Sequence, residues 1–474
     1  MSQNKKYYTL STHKTLYFLW VTTILFSATV FSSYAQISEG GTPPSFMYPA
    51  SQKTRSLQNK KNGIKNIYIP FSLDDLKADD ERMKEEFLPP RVAVLLPASF
   101  SPENSGVWST LPGGERIWQL RIMANKAKAI SLYYKKFNLP IGSKLFIYNS
   151  AHTHILGAYT HKTHPGKGKF ATEFVAGDDI ILEYVAPKSD EFPQNPEIEI
   201  EEIGYGYNYL SIKDSYSESL SGSCMVDINC EEGEQWQDHK NGVVKMIIPI
   251  GTSSFLCTGS ILNNTKEDLK PYLLTAFHCL LSSKEQASAS DLSQAQFFFR
   301  YENTTCGSNT PTSPVSMIGC TYIAGVPLEN GVDGALLLLN GKIPDNLNAY
   351  YNGWDRRNIA PQSGVCIHHP QGDVKKISTY DQPAVSDTWK SGSTQGLQDG
   401  HWNVIFKSTA NGHGVTEGGS SGAPLFDQNK RITGFLTGGN ANCTDRKEGR
   451  NLFGKLALFW DQCGTADDQR IDKY

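Results

Sequence analysis

Cysteine is absent before Cys224, and all nine cysteines of this 474-residue chain lie from there to Cys463. Their spacings form no compact metal-ligand pattern, which argues against a zinc module. No basic stripe accompanies the formal charge of −3, so the electrostatic footprint of a nucleic-acid or anionic-membrane binder is missing. Beyond the amino terminus there is no long apolar run, and no second membrane-length segment is expected. Internal repeats are absent, as is long helical periodicity in the second half, which excludes solenoids and helical bundles there. With 39% hydrophobic and 20% charged residues, the composition is that of a globular protein. At roughly 100–200 residues per domain, the length predicts two or three domains.

The amino terminus predicts the compartment. Lys5, Lys6 and Lys14 precede an apolar stretch from Leu16 to Ser33, and Ser33-Tyr34-Ala35 places small residues at a cleavage position. This is a secretory signal over residues 1–35, and the mature protein is expected to be secreted or periplasmic. Export makes disulfides the expected state of the cysteines. Because nine is odd, at least one thiol stays free or pairs outside the chain.

Residues 36–105 read as a polar leader with one short helix near the acidic run Asp79 to Glu86. From Gly106 a period of two takes over. Trp118, Leu120 and Ile122 alternate with polar residues, as do Ile130, Leu132 and Tyr134, which turns one face of each strand inward. Turns at Pro140-Ile141-Gly142 and His164-Pro165-Gly166-Lys167-Gly168 punctuate the pattern, predicting a small β-sandwich over 106–210. The polar, serine-rich residues 211–220 read as a linker. Short apolar runs separated by Gly, Asn, Ser and Pro clusters then make 221–474 mainly β, and the whole chain all-β.

Ser421 lies in Gly418-Gly419-Ser420-Ser421-Gly422-Ala423-Pro424. Glycines beside a nucleophilic serine let backbone amides converge on a developing oxyanion, here those of Gly419 and Ser421. His278 follows an apolar segment in Leu274-Thr275-Ala276-Phe277-His278-Cys279, where a neighbouring disulfide would fix a general base. Asp333 opens the apolar run Leu336 to Leu339. A carboxylate entering such a run needs a partner, and an imidazole N–H is a fitting one. Taken singly these are a Gly/Ser loop, a structural histidine and a turn residue.

Taken together, in the order His, Asp, Ser, they resemble the trypsin-like serine peptidases, which implies a double β-barrel over 221–474. More closely, the chain resembles the bacterial lysyl endopeptidases through Gly222-Ser223-Cys224, Cys257-Thr258-Gly259-Ser260, Asn303-Thr304-Thr305-Cys306, Gly353-Trp354-Asp355-Arg356-Arg357, Ile367-His368-His369-Pro370 and Val415-Thr416-Glu417. The resemblance implies a Ser421, His278, Asp333 triad and three disulfides, Cys224–Cys443, Cys230–Cys306 and Cys257–Cys279. Cys320, Cys366 and Cys463 are left over, enough for one further bridge and one free thiol. It also makes His368-His369 structural rather than metal-binding, and implies neither metal nor organic cofactor.

The same resemblance implies a pocket for a lysine side chain upstream of the cut, lined by Thr416, Glu417 and Gly438. Asn451 stands where a second acid is expected, so that Glu417 alone, or Asp445 or Glu448 on the same loop, would have to compensate. A Trp stacked on a His borders the family's cleft; Trp389 matches the first and Thr437 replaces the second, predicting a more open subsite. Ser420 takes the place of the aspartate that receives a new amino terminus in the digestive enzymes. Activation is therefore expected through removal of the first domain, an inhibitor or chaperone in cis, by a cut within Lys213 to Ser223. The substrates implied are proteins or peptides. The competing readings are a catalytically silent binding or adhesion protein on this fold, a zinc protein, and a peptidase of relaxed, non-basic specificity.

Overall fold

In the computed structural model, residues 38–48, 63–164, 168–187, 195–208, 220–444 and 449–474 are described. The signal segment, most of the 211–220 linker, the centre of the His164–Gly168 turn and Asp445 and Glu448 lie outside them. The all-β expectation is borne out: strands carry the architecture, and helices are short apart from α1 (Leu73–Glu85). Ser72 caps α1 by accepting the Asp74 N–H, with Asp74 and Asp75 in the first turn and Arg82 and Lys84 in the last, each sign matched to its end of the helix dipole.

The N-terminal part is a sandwich. One sheet has six strands around Arg116–Ala124, Asp179–Val185 and Lys144–Asn149. Trp118, Leu120 and Ile122 are fully buried, facing Leu132, Ile200 and Ile203 of the second sheet across a shared core. That second sheet contains β1 (Arg91–Phe100), β2 (Ala129–Asn138) and β3 (Glu197–Gly206), with β3 between the other two. The other face of the first sheet is covered as well. There the fully buried Glu183 carboxylate accepts from Ser45 N–H and Oγ–H, Gln119 Nε2 and the Tyr148 hydroxyl, so a buried charge has its hydrogen bonds.

The segment read as a polar leader therefore supplies α1 and the long strand β1. Val92 to Leu96 is a continuous apolar run, as suits a strand paired on both edges and buried on both faces. One edge pairs with β3, and the other crosses into the C-terminal part to pair with β5 (Ser253–Leu262).

The C-terminal part has two barrel-like sheets. The first runs through β4 (Val243–Ile250), β5, β6 (Tyr272–Ala276) and β7 (Gly334–Leu339), paired antiparallel. The second includes β8 (Gly364–His368), β9 (Pro424–Phe426), β10 (Ile432–Gly439) and β11 (Asn451–Lys455). Each has its own apolar core, around Met246, Phe297 and Leu337 in the first and Leu425, Leu436 and Phe453 in the second.

Candidate active site

Pairing of Ala276 in β6 with Gly334 in β7 sets His278 and Asp333 beside each other, each just outside its strand. His278 Nδ1 lies 2.7 Å from Asp333 Oδ2, and its backbone N–H donates to Oδ1 at 2.9 Å. The aspartate is fully buried. It adopts φ +63, a left-handed conformation that Asp tolerates better than most residues, and its carbonyl accepts the Phe277 N–H at 2.8 Å. Both carboxylate oxygens are thus held on one histidine.

Ser421 approaches from the second barrel. Its carbonyl accepts the Thr258 N–H at 2.9 Å and lies 3.6 Å from Cys279 Sγ, so the serine backbone touches the residue after His278. No side-chain hydrogen bond joins Ser421 and His278 in this structure. The loop is close against the first barrel: a Cβ on Gly422, at φ +81, would meet Thr275 Oγ1 at 2.1 Å and Thr258 O at 2.4 Å. Gly418 O accepts from Gln371 N–H and Ser420 O from Ala423 N–H. Across a trans peptide the N–H points opposite to the C=O, so the Gly419 and Ser421 amides turn away from those partners. Ser420 Oγ itself is bonded to His368 Nδ1 at 2.8 Å.

The disulfides are Cys224–Cys443, Cys230–Cys306 and Cys257–Cys279. Cys320, Cys366 and Cys463 are all free, which corrects the expectation of a further bridge: each sits in a different apolar cluster. Burial pushes the Cys463 thiol up to about 11, and raises Cys320 and Cys366 as well. Cys257, His278 and Cys279 lie close enough together to suggest a metal site, but both sulfurs are spent in the disulfide. His368 and His369 are fully buried; burial pulls His368 down to about 3 and His369 well below its ordinary value.

Beside Ser421 is a cavity of about 420 Å³ that also takes in Thr416, Glu417, Thr437 and Gly438. Glu417 accepts the Gly222 N–H on both oxygens at 3.2 Å, and burial raises its carboxyl. Asn451 lies beneath, its Oδ1 accepting from Thr416 Oγ1 at 3.0 Å and its Nδ2 donating to Val404 O at 3.2 Å. The amide therefore has a donor and an acceptor opposite its two ends, a pairing that a carboxylate does not match.

Two features of the cleft escaped sequence reasoning. His401 is fully buried, bonds Thr437 Oγ1 through Nε2 at 3.2 Å and lies 6.3 Å from Trp389, ring to ring. Burial draws it down to about 4. The second is a segment of the N-terminal part: Phe87, Leu88, Pro89, Pro90 and Arg91 line the same cavity as Ser421. Phe87 packs edge-on against Trp389 at 5.0 Å.

Two barrel-like antiparallel sheets, the first carrying the His278–Asp333 pair and the second a Gly-flanked Ser421 whose backbone meets Cys279, are the arrangement expected of the trypsin-like serine proteases. Residues 219–454 match the family model described as lysyl endopeptidase, C-terminal domain, and over that stretch the chain is similar to that family. It is 30% identical to the lysyl endopeptidase of Pseudomonas aeruginosa over 289 residues, 58% of each chain. It is 22% identical to secreted RxLR effector protein 73 of Plasmopara viticola over 53% of this chain and 62% of that one. The chain thus spans less than two thirds of either curated relative. Among solved structures, the active form of the Rv3671c protease from M. tuberculosis overlaps 50% of this chain and 86% of its own, at TM-score 0.32 and 13% identity. The HtrA-type protease AlgW overlaps 47% and 59%, at TM-score 0.30 and 17% identity.

Proposed function

We propose that this chain is the latent precursor of an exported serine endopeptidase that cuts preferentially after lysine. The observation that carries the chemistry is the His278–Asp333 pair at 2.7 Å, with the Ser421 backbone against Cys279. In this reading His278 takes the Ser421 proton as Oγ attacks the scissile carbonyl. Asp333 holds the imidazole tautomer and stabilises its cation, and the Gly419 and Ser421 amides receive the oxyanion. The imidazolium returns its proton to the leaving amine, and water repeats the attack on the acyl-enzyme.

Glu417 at the cavity supports a preference for a lysine ammonium, with Thr416 and Gly438 as walls and Asn451 as a neutral floor. One acid where two were expected predicts a weaker preference. Trp389, with Thr437 and His401, borders the adjoining subsite.

Latency is supported by the segment in the cleft. Phe87 adopts φ +57 just after α1, where Leu88 N–H donates to Met83 O at 3.0 Å and Phe87 N–H to Lys84 O at 3.2 Å. This is a helix C-terminal turn whose left-handed position usually goes to glycine. A phenylalanine held there bears backbone strain of about 1–2 kcal/mol, while its ring contacts Trp389. Pro89 then has no N–H and a fixed φ, which makes the Leu88–Pro89 bond a poor one to cut. Among the described residues no helix is long and apolar enough to cross a membrane.

A fluorophosphonate probe and a peptide panel varying only the residue before the cut test the proposal. Labelling at Ser421 after separation of the N-terminal part, with faster cleavage after Lys than after Leu or Ala, is expected. Absence of labelling would leave a silent binding protein; equal rates across the panel would remove the lysine preference.

A further inference from the structure

Strand β4 is buried on both faces, by different neighbours. Val244, Met246 and Ile248 alternate into the core of the first barrel, which turns Lys245 and Ile247 to the other face. The N-terminal part covers that face, with Phe174 packed among Ile247 and Phe298. The cover is incomplete. A cavity of about 370 Å³ remains between the two parts, walled by Phe174, Ile247, Phe298 and Tyr301. Ser38, Ser313 and Asn346 at its rim are exposed, so it opens to solvent. It shares no lining residue with the cavity beside Ser421.

Opposite charges line it from opposite sides. Lys245 belongs to the first barrel and is buried. Its Nζ donates to Gly372 O at 3.2 Å and lies 4.4 Å from the centre of the Tyr301 ring and 5.3 Å from that of Phe298. Glu173 belongs to the N-terminal part, in the link between the short strands Phe170–Ala171 and Val175–Ala176. Ser316 Oγ–H donates to its Oε1 at 2.6 Å. Among the described residues neither Lys245 nor Glu173 has an ion-pair partner. They still act on each other. Burial raises the Glu173 carboxyl, against Ser316 and Lys245, and lowers Lys245, against Asp373 and Glu173.

A buried ammonium and a carboxyl that form no ion pair are each short of a counter-charge. A simple anion would bring a like charge to Glu173, and a metal ion would bring one to Lys245. A molecule with one charge of each sign brings neither, and aromatic walls suit an apolar body between the charges. We propose that this cavity binds free amino acids or dipeptides with apolar side chains, the ligand carboxylate on Lys245 and its α-ammonium on Glu173. The two charges come from the two parts of the chain, so the ligand bridges them and stabilises the joined form by mass action. Peptide hydrolysis is the class of reaction that supplies such molecules. That link rests on the peptidase reading above; the binding itself does not.

The test uses the whole chain carrying Ser421→Ala, which keeps it joined whatever its activity. Leucine and the dipeptide Leu-Leu are titrated calorimetrically, beside N-acetyl-leucinamide, which lacks both charges. At least one of the zwitterions is expected to bind with a Kd of about 1 mM or tighter, and the blocked amide about tenfold or more weaker. Glu173→Gln and Lys245→Met should each weaken the zwitterion about tenfold. Glu173→Gln keeps the acceptor for Ser316, and it carries the test alone if Lys245→Met does not fold. Absence of binding by both zwitterions would overturn the site. Equal binding of the blocked amide, or undiminished binding by Glu173→Gln, would overturn the assigned ligand class. Any of these results leaves the peptidase reading standing, since that is decided by labelling of the unsubstituted chain.

Discussion

Asp333→Asn is the sharpest probe of the proposed chemistry, because it changes one atom's capacity and little else. The aspartate accepts twice from His278, from the backbone N–H on Oδ1 at 2.9 Å and from Nδ1 on Oδ2 at 2.7 Å. An asparagine that keeps its oxygen on the backbone N–H must turn its NH₂ toward Nδ1. The ring then has to accept at Nδ1 and carry its proton on Nε2, the wrong tautomer for a base facing Ser421. Loss of the base and of the cation's stabilisation is worth about 10⁴ in kcat in such a triad, or about 5 kcal/mol at ~1.4 kcal/mol per tenfold. Folding should survive, since Asn also tolerates the φ of +63; the lost charge-assisted bonds cost about 2–3 kcal/mol. Burst and steady-state hydrolysis of a lysyl reporter amide by the matured enzyme, beside a thermal melt, measure both effects. A variant that melts within a few degrees of the parent and keeps more than a tenth of its kcat would refute the assigned role of Asp333.

Three further predictions concern other parts of the molecule. Phe87→Gly relieves the left-handed backbone after α1 but removes the ring from Trp389. Probe labelling of Ser421 in the uncleaved precursor should therefore quicken several-fold without loss of stability, and unchanged labelling would count against the plug. Asn451→Asp sets a carboxylate oxygen against Val404 O in a buried site. It should lower stability by about 1–3 kcal/mol at neutral pH while sharpening the choice of Lys over Leu, read from denaturant midpoints and kcat/KM ratios. Burial pulls Lys245 down to about 8, with Asp373 and Glu173 opposing the drop. The unfolded chain, whose lysine titrates near ~10.4, binds more protons above pH 8, so this residue's cost is full below 8 and is relieved as pH rises. Relative to Lys245→Met, the parent should gain on the order of 2 kcal/mol between pH 7 and 9.5; equal pH slopes in urea titrations would refute that.

The His278–Asp333 pair was legible, and Ser421 was proposed beside it, because each sits in a short motif whose local chemistry is unusual: a serine among glycines, a histidine beside a cysteine, and a carboxylate opening an aliphatic run. The sandwich was legible where alternation was strict, as in Trp118 to Ile122. Strand β1 was not, because Val92 to Leu96 shows no alternation and its partners lie at Glu197–Gly206 and Ser253–Phe255. A strand buried on both faces and paired on both edges leaves no periodic trace of where it goes. The place of His401 likewise depends on β11 pairing with the strand that carries it, a register that local sequence does not encode. At Asn451 the missing acid was visible in sequence; the Val404 carbonyl that suits an amide there was not.

If the chain is a latent precursor, as proposed, the shared sheet would separate cutting from activation. The residues outside the description, 209–219, join the end of the N-terminal part to Leu220, while Ser221 and Gly222 are already fastened to Asp373 and Glu417. A cut before Ser221 thus leaves these contacts intact and frees nothing in the cleft. Strand β1 would remain paired with β5, and Arg91 would stay tied to Asp79, Asp80 and Tyr207 on its own side. The contacts across the boundary also include Tyr133 to Ser254 at 2.9 Å and Ser316 to Glu173 at 2.6 Å. Release must remove the strand as a unit, because β3 holds its other edge. It would uncover Ile247, Leu256 and Phe298 together. In the proposed latent form, the pairing of β1 with β5 would therefore have to be undone separately from any cut in the linker.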